Sequence, residues 1–160
     1  MSARGTRATQ QLTKLGIAHK VHPYAVARSD EPYGAQAAAA LGVPPERVFK
    51  TLIANVDGSL TVAVVPVAVQ LNLKALAEAA GGKRAELAQA QDAERATGYV
   101  VGGISPIAQR KRLPVIIDQT ALGFPTVFCS AGQRGLQVEL TPADLVRATA
   151  AVVAPIGRPG

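Results

Sequence analysis

The run VFKTLIANVDGSLTVAVVPV, residues 48–67, consists of two β-branched, aliphatic stretches on either side of Asp57-Gly58. Period-2 runs joined by an Asp-Gly pair predict a β-hairpin. Successive strand side chains point to opposite faces, so Lys50 shares one face with Val48, Leu52 and Ala54. Phe49, Thr51 and Ile53 share the other. Helix signals surround the hairpin. Residues 7–15 read as a short helix with Leu12 and Leu15 inward, closed by Gly16, and a strand follows over 17–24. The alanine-rich residues 34–41 read as a helix stopping at Gly42, before Pro44 and Pro45. Asn72 is a candidate N-cap for a helix to Ala80, and a further helix over 86–96 ends at Gly98. Strands are expected from Tyr99, from Leu113, from Thr126 and over 136–140. Thr141-Pro142 then opens a helix to about Val152. The tail, 153–160, is expected to be flexible. Nothing repeats and no linker divides the chain, so residues 1–160 read as one domain. The fold class is mixed α/β: a curved, barrel-like mixed sheet with helices packed outside.

A chain of 160 residues with 48% hydrophobic but only 4% aromatic side chains buries an aliphatic core. The formal charge of +6 favours a polyanionic partner. One cysteine excludes an internal disulfide and suits a reducing compartment. Residues 1–10 lack the apolar core of a secretory signal, and the longest apolar run, 61–69, is broken by Pro66 and too short to span a bilayer. The expected location is the cytoplasm, with no membrane partner.

The usual catalytic engines are missing. His19 and His22, the only histidines, are three apart on an extended segment and face opposite ways, so no metal site is expected. Cys129 lies in the apolar run TVFCS and reads as a small buried hydrophobe rather than a nucleophile. Ser130 beside it sits at a strand end before the turn SAGQRG, suited equally to a ligand contact or to capping that turn. Lys50 either snorkels to solvent or stands at a pocket mouth, where its ammonium meets a phosphate or carbonyl oxygen. Gly102-Gly103, in GGISP just before the cations Arg110, Lys111 and Arg112, allow close backbone approach, and their N–H groups could hold a phosphate or a developing oxyanion. On residues alone, an RNA-binding module and an enzyme remain level.

The segments VFKTLIANVDG, VAVVPVAVQLNLKALAEAAGGK, ATGYVVGGISPIAQRKRLPVIID and FCSAGQRGLQVEL, in this order, resemble the YbaK/EbsC family over about residues 12–152. These are free-standing Cys-tRNA(Pro) deacylases related to the editing domain of bacterial prolyl-tRNA synthetases. The resemblance implies trans-editing: cysteine is too near proline in size for one pocket to reject it, so a second site clears the mischarged tRNA. Cys-tRNA(Cys) is a second implied substrate, and association with the synthetase–tRNA complex is implied too. No cofactor is implied, because the substrate's own thiol is thought to attack its ester carbonyl, leaving the protein to position and stabilise.

By the same resemblance Lys50 would meet the terminal adenosine phosphate or a substrate oxygen, with Thr51 beside it. Gly102, Gly103, Ile104, Ser105 and Pro106 would form the loop that holds the ester carbonyl. Tyr24, Ser130 and Gln137 would line the substrate pocket. Arg110, Lys111, Arg112 and Arg134 would hold the tRNA, in keeping with the charge. Gln137 departs from the pattern, since the family commonly has aspartate there as partner for the aminoacyl ammonium; Ala131 and Gln133 also replace residues that are often glycine and lysine. Two other readings stand beside this one. An Ala-tRNA(Pro)-type editor would use direct water attack, and a non-catalytic tRNA- or synthetase-binding protein would have kept the fold alone.

Overall fold

The structure is a computed structural model and describes residues 5–27 and 31–159. Its centre is the expected hairpin. Strand β2 (Phe49–Val56) pairs antiparallel with β3 (Ser59–Pro66), Val56 opposite Ser59, so Asp57-Gly58 form a two-residue turn. Strand β5 (Ala85–Leu87) adds to the outer edge of β2. On the other side β6 (Val115–Asp118) runs parallel to β3, and β9 (Val152–Ala154) parallel to β6, giving the order β5-β2-β3-β6-β9. A second sheet, β1-β8-β7, comprises β1 (Lys20–Pro23), β7 (Val127–Gln133) and β8 (Leu136–Leu140). The third is the pair β4 (Val69–Leu71) and β10 (Gly157–Pro159). The strands thus divide into three sheets rather than closing one barrel, and an isolated parallel bridge, Val48 to Phe128, joins the first two.

The central hairpin is buried on both faces because its alternation feeds two cores. Phe49, Ile53, Val62 and Val64 join the larger one with Leu12, Ile107, Val127 and Leu145. Ala54, Val56, Ala63 and Val65 join the smaller one with Leu76, Ile116 and Ile156. Near-continuous apolar character in β3 is what a strand covered on both faces requires.

The helices are α1 (Arg7–Lys14), α2 (Tyr33–Leu41), α3 (Leu73–Ala79), α4 (Ala90–Thr97) and α5 (Pro142–Thr149). Asn72 and Thr141 cap α3 and α5 through Ala75 N and Asp144 N, as their residue types predict. Three expectations are corrected. Residues 85–87 form strand β5, not the start of a helix, because pairing with Ala54–Val56 outweighs local propensity. No strand begins at Tyr99: its buried hydroxyl donates to Ile107 O at 2.6 Å and closes residues 99–107 into a loop. The flexible tail is also overturned through Pro159. Ile156 is fully buried, β10 pairs with β4, and the Asp118 carboxylate accepts from the N–H groups of Ile156 and Gly157, each at 2.9 Å. No helix among the described residues is long and apolar enough to cross a membrane.

Candidate active site

Strand β5 covers only Ala54–Val56 of β2. The start of β2 therefore presents an uncovered edge, and a cavity of about 450 Å3 opens against it. Its walls come from β2, from Tyr33 and Gly34 at the start of α2, from Val101, Gly102 and Ile104, and from the β7–β8 pair. Tyr24, Lys50, Thr51, Gly102, Ile104, Ser130 and Gln137, spread over more than 110 positions in sequence, all line it. The register that places Ser130 opposite Gln137 brings the last two together on one face of the second sheet. A larger hollow of about 600 Å3, between Pro66 and Phe124, gathers none of the candidates.

Lys50 is half-buried and forms no ion pair among the described residues; burial alone lowers its pKa from the usual lysine value. Two polar oxygens of lining residues also lack partners: Thr51 Oγ1 and Gln137 Oε1 are buried without a hydrogen bond. Buried polar atoms without a partner are uncommon in folded proteins. Tyr24 Oη donates to Tyr33 O at 3.5 Å. Gln137 lies beside the Tyr24 hydroxyl, and its Oε1 is buried without a hydrogen-bond partner. Burial raises the Tyr24 pKa, against the opposing hydrogen bonds of Gly135 and Gln137.

The glycine loop behaves differently from expectation. Gly102 has φ +90°, and a Cβ there would lie 2.5 Å from Tyr33 Cδ2. A Cβ on Gly103 would lie 2.7 Å from Arg134 N, so the loop and the β7–β8 turn meet backbone to backbone. Gly103 N–H, however, donates to Val100 O at 2.8 Å and is not free for a ligand. Gly103, Ser105 and Pro106 are buried behind the wall and do not line the cavity. Ser105 instead supports the loop, its Oγ accepting from Ile107 N at 3.2 Å.

The cations fall outside the cavity. Arg134 lies at its rim, donating to Val101 O at 2.9 Å with its guanidinium 5.0 Å from the centre of the Tyr33 ring. Arg110 packs near Gly98 with Arg7, and Lys111 borders a separate small hollow with Asp92 and Arg95. Arg110, Lys111 and Arg112 are all exposed. Ser130 is buried and its Oγ accepts from Gly132 N at 3.1 Å, so it caps the turn while also lining the cavity.

Sequence reasoning passed over Tyr33, Phe49 and Leu87 as wall residues. Tyr33 left a signal, being one of only three tyrosines; Leu87 left none, because its placement depends on the β5 pairing. Cys129 is fully buried, and burial pushes its thiol up to about 12. His22 Nε2 pairs with Glu139 Oε1 at 2.8 Å, and His19 Nδ1 with Ile17 O at 2.8 Å. No group of three potential metal-ligating side chains occurs among the described residues.

A cavity that offers a cation and unpaired acceptors beside a basic surface suits an editing enzyme acting on a charged tRNA. Residues 33–148 match the model of the aminoacyl-tRNA editing domain, and the chain belongs to that family. It is similar to EbsC of Enterococcus faecalis (strain ATCC 700802 / V583), provisionally named a Cys-tRNA(Pro)/Cys-tRNA(Cys) deacylase: 36% identical over 154 residues, 93% of each chain. It also resembles part of the proline–tRNA ligase of Geobacillus thermodenitrificans (strain NG80-2), 28% identical over 110 residues, 69% of this chain but 19% of the ligase. Among solved structures, hypothetical protein APE2540 superimposes with a TM-score of 0.85 at 30% identity, covering 96% of this chain and all of that one. A candidate trans-editing enzyme for prolyl-tRNA synthetase shares the fold at the same TM-score and 24% identity, covering 99% of each chain.

Proposed function

We propose that this editing enzyme is a deacylase that removes cysteine from Cys-tRNA(Pro) in trans, in the cytoplasm and in association with the synthetase–tRNA complex. Cys-tRNA(Cys) is its second candidate substrate. One observation carries the reading: among the described residues the cavity lining contains no His, Cys, Asp or Glu, yet it holds a lysine without an ion pair and two polar oxygens without a hydrogen bond. Such a site positions and polarises an ester without supplying a nucleophile of its own. Cysteine brings one. Its thiol sulfur attacks the ester carbonyl, the C–S bond forms as the bond to the ribose oxygen breaks, and the thiol proton ends on that oxygen. The products are a thiolactone and free tRNA.

In this scheme Lys50 meets the terminal phosphate or the reacting oxygen, and Thr51 hydrogen-bonds the ester. Because Gly103 N–H is engaged, the Gly102 and Ile104 amides are left to face the developing oxyanion. Tyr24, Ser130 and Gln137 hold the aminoacyl end. Arg134 and the exposed Arg110, Lys111 and Arg112 engage the acceptor arm, whose phosphates supply the salt-dependent part of binding.

The test compares deacylation of cysteinyl-, seryl- and alanyl-tRNA(Pro) by the purified protein. Rapid loss of cysteine alone is expected. Loss of alanine as well would replace thiol attack with water attack, and survival of all three esters on bound tRNA would overturn the catalytic reading.

A further inference from the structure

Residues 100–103 form a turn of definite sense. Gly103 N–H donates to Val100 O at 2.8 Å, Gly102 has φ +90°, and Val101 is not among the residues of positive φ. That combination is a type II turn, which needs the left-handed region at its third residue alone, and glycine supplies it. Types I and II differ chiefly in the central peptide, which turns over by about half a rotation between them, and glycine at the third position enters both. The peptide joining Val101 to Gly102 is trans, so its C=O and N–H point opposite ways. One sense offers a developing oxyanion an N–H donor; the other offers it a carbonyl oxygen, which repels it.

Two charged side chains from distant segments grip this turn. Glu94 Oε2, on α4, accepts from Val101 N at 2.8 Å, and Arg134 Nε, from the β7–β8 turn, donates to Val101 O at 2.9 Å. The second bond acts on the central peptide. With Val101 O turned to Arg134, the Gly102 N–H is sent to the other face of the turn, where no acceptor among the described residues takes it. Arg134 is itself held, its guanidinium 5.0 Å from the centre of the Tyr33 ring. A Cβ on Gly102 would meet Tyr33 Cδ2 at 2.5 Å and Arg134 Nε at 2.9 Å, so ring, guanidinium and turn are packed against one another.

We propose that Arg134 is a positioning residue for the deacylation: its Nε holds the Val101–Gly102 peptide in the sense that keeps the Gly102 N–H available to the developing oxyanion. The inference rests on the deacylase reading given above. Arg134 then has two separable tasks, its charge serving the tRNA and its Nε donor serving the turn. Two substitutions separate them by atom position. In Arg134→Gln the side-chain nitrogen stands as many bonds from Cα as Nε did, so the donor survives and the charge goes. In Arg134→Lys the charge survives and a methylene takes the place of the donor. Arg134 is exposed, so both variants should fold.

The experiment measures kcat and KM for Cys-tRNA(Pro) with the full-length wild type and both variants, alongside binding of uncharged tRNA(Pro). Arg134→Lys is expected to lose about tenfold or more in kcat, a fraction of what deleting an oxyanion donor costs, with KM and tRNA affinity within about threefold of wild type. Arg134→Gln should show the reverse: kcat within about threefold, and KM raised about two- to fivefold by the loss of a rim charge. Normal kcat in Arg134→Lys would overturn the proposal and leave Arg134 as a phosphate contact. Equal losses of kcat in the two variants would overturn it too, because the donor position would then not matter. If the wild type cleaves no ester, the deacylase reading fails, and relaxation dispersion of the Gly102 and Gly103 amides still decides whether Arg134 holds the peptide. Microsecond-to-millisecond exchange that arises in Arg134→Lys but not in wild type or Arg134→Gln would support it, and identical profiles would overturn it.

Discussion

Replacing Lys50 by methionine should separate function from stability. Methionine keeps the apolar stem and removes only the ammonium, which has no ion pair among the described residues. Losing a hydrogen bond to a charged group removes about 1.5–3 kcal/mol of transition-state binding, or about ten- to 150-fold in kcat/KM. Folding should move the other way. Burial lowers the Lys50 pKa below its ordinary 10.5, so between the folded-state value and 10.5 the unfolded chain binds more protons and stability rises with pH. Below that window the wild type carries a desolvation penalty that the variant lacks. Lys50→Met should therefore be as stable as wild type at pH 7, or more so by up to about 1 kcal/mol, and should lose the alkaline rise. Denaturant unfolding at several pH values and deacylation of Cys-tRNA(Pro) read both quantities. A loss of more than about 2 kcal/mol would mean that the ammonium holds the fold together. An unchanged kcat/KM would remove Lys50 from the site.

Asp118→Ala should cost about 2–4 kcal/mol, since it strands the N–H groups of Ile156 and Gly157 and the Thr120 contacts. The amides of 156 and 157 should then exchange far faster, while deacylation stays normal because the carboxylate lies outside the cavity; unchanged exchange would refute the clasp. Cys129→Ala should lose about 1–2 kcal/mol from the vacated core volume and keep full activity. The native thiol, pushed up to about 12 by burial, should ignore aromatic disulfide reagents until the protein unfolds. Loss of turnover in that folded variant would mean the protein supplies the thiol after all.

The parts legible in the sequence are those whose cause lies within a few residues. Asp57-Gly58 set the hairpin and its register, Asn72 and Thr141 cap helices through their own side-chain oxygens, and alternation divides β2 between two faces. Lys50, the glycine loop and the Ser130 turn drew attention from the residues themselves, each beside a structural alternative, whereas Tyr24, Thr51 and Gln137 came only with the family resemblance. Their convergence was not legible. It depends on β5 covering only the far half of β2 and on Ser130 standing opposite Gln137, both set by pairing between distant segments.

The errors have the same origin. Nothing in GGISP shows that Gly103 N–H is consumed by Val100 O, and nothing in APIGRPG shows that a carboxylate 38 residues upstream ties the tail down. The sequence by itself determined the local elements, the aliphatic core and the family pattern, because propensity, capping and alternation act over short range. Only the tertiary structure decided which polar atoms remain unpaired, since a hydrogen bond is satisfied or left open by whatever the rest of the chain brings within about 3 Å of it.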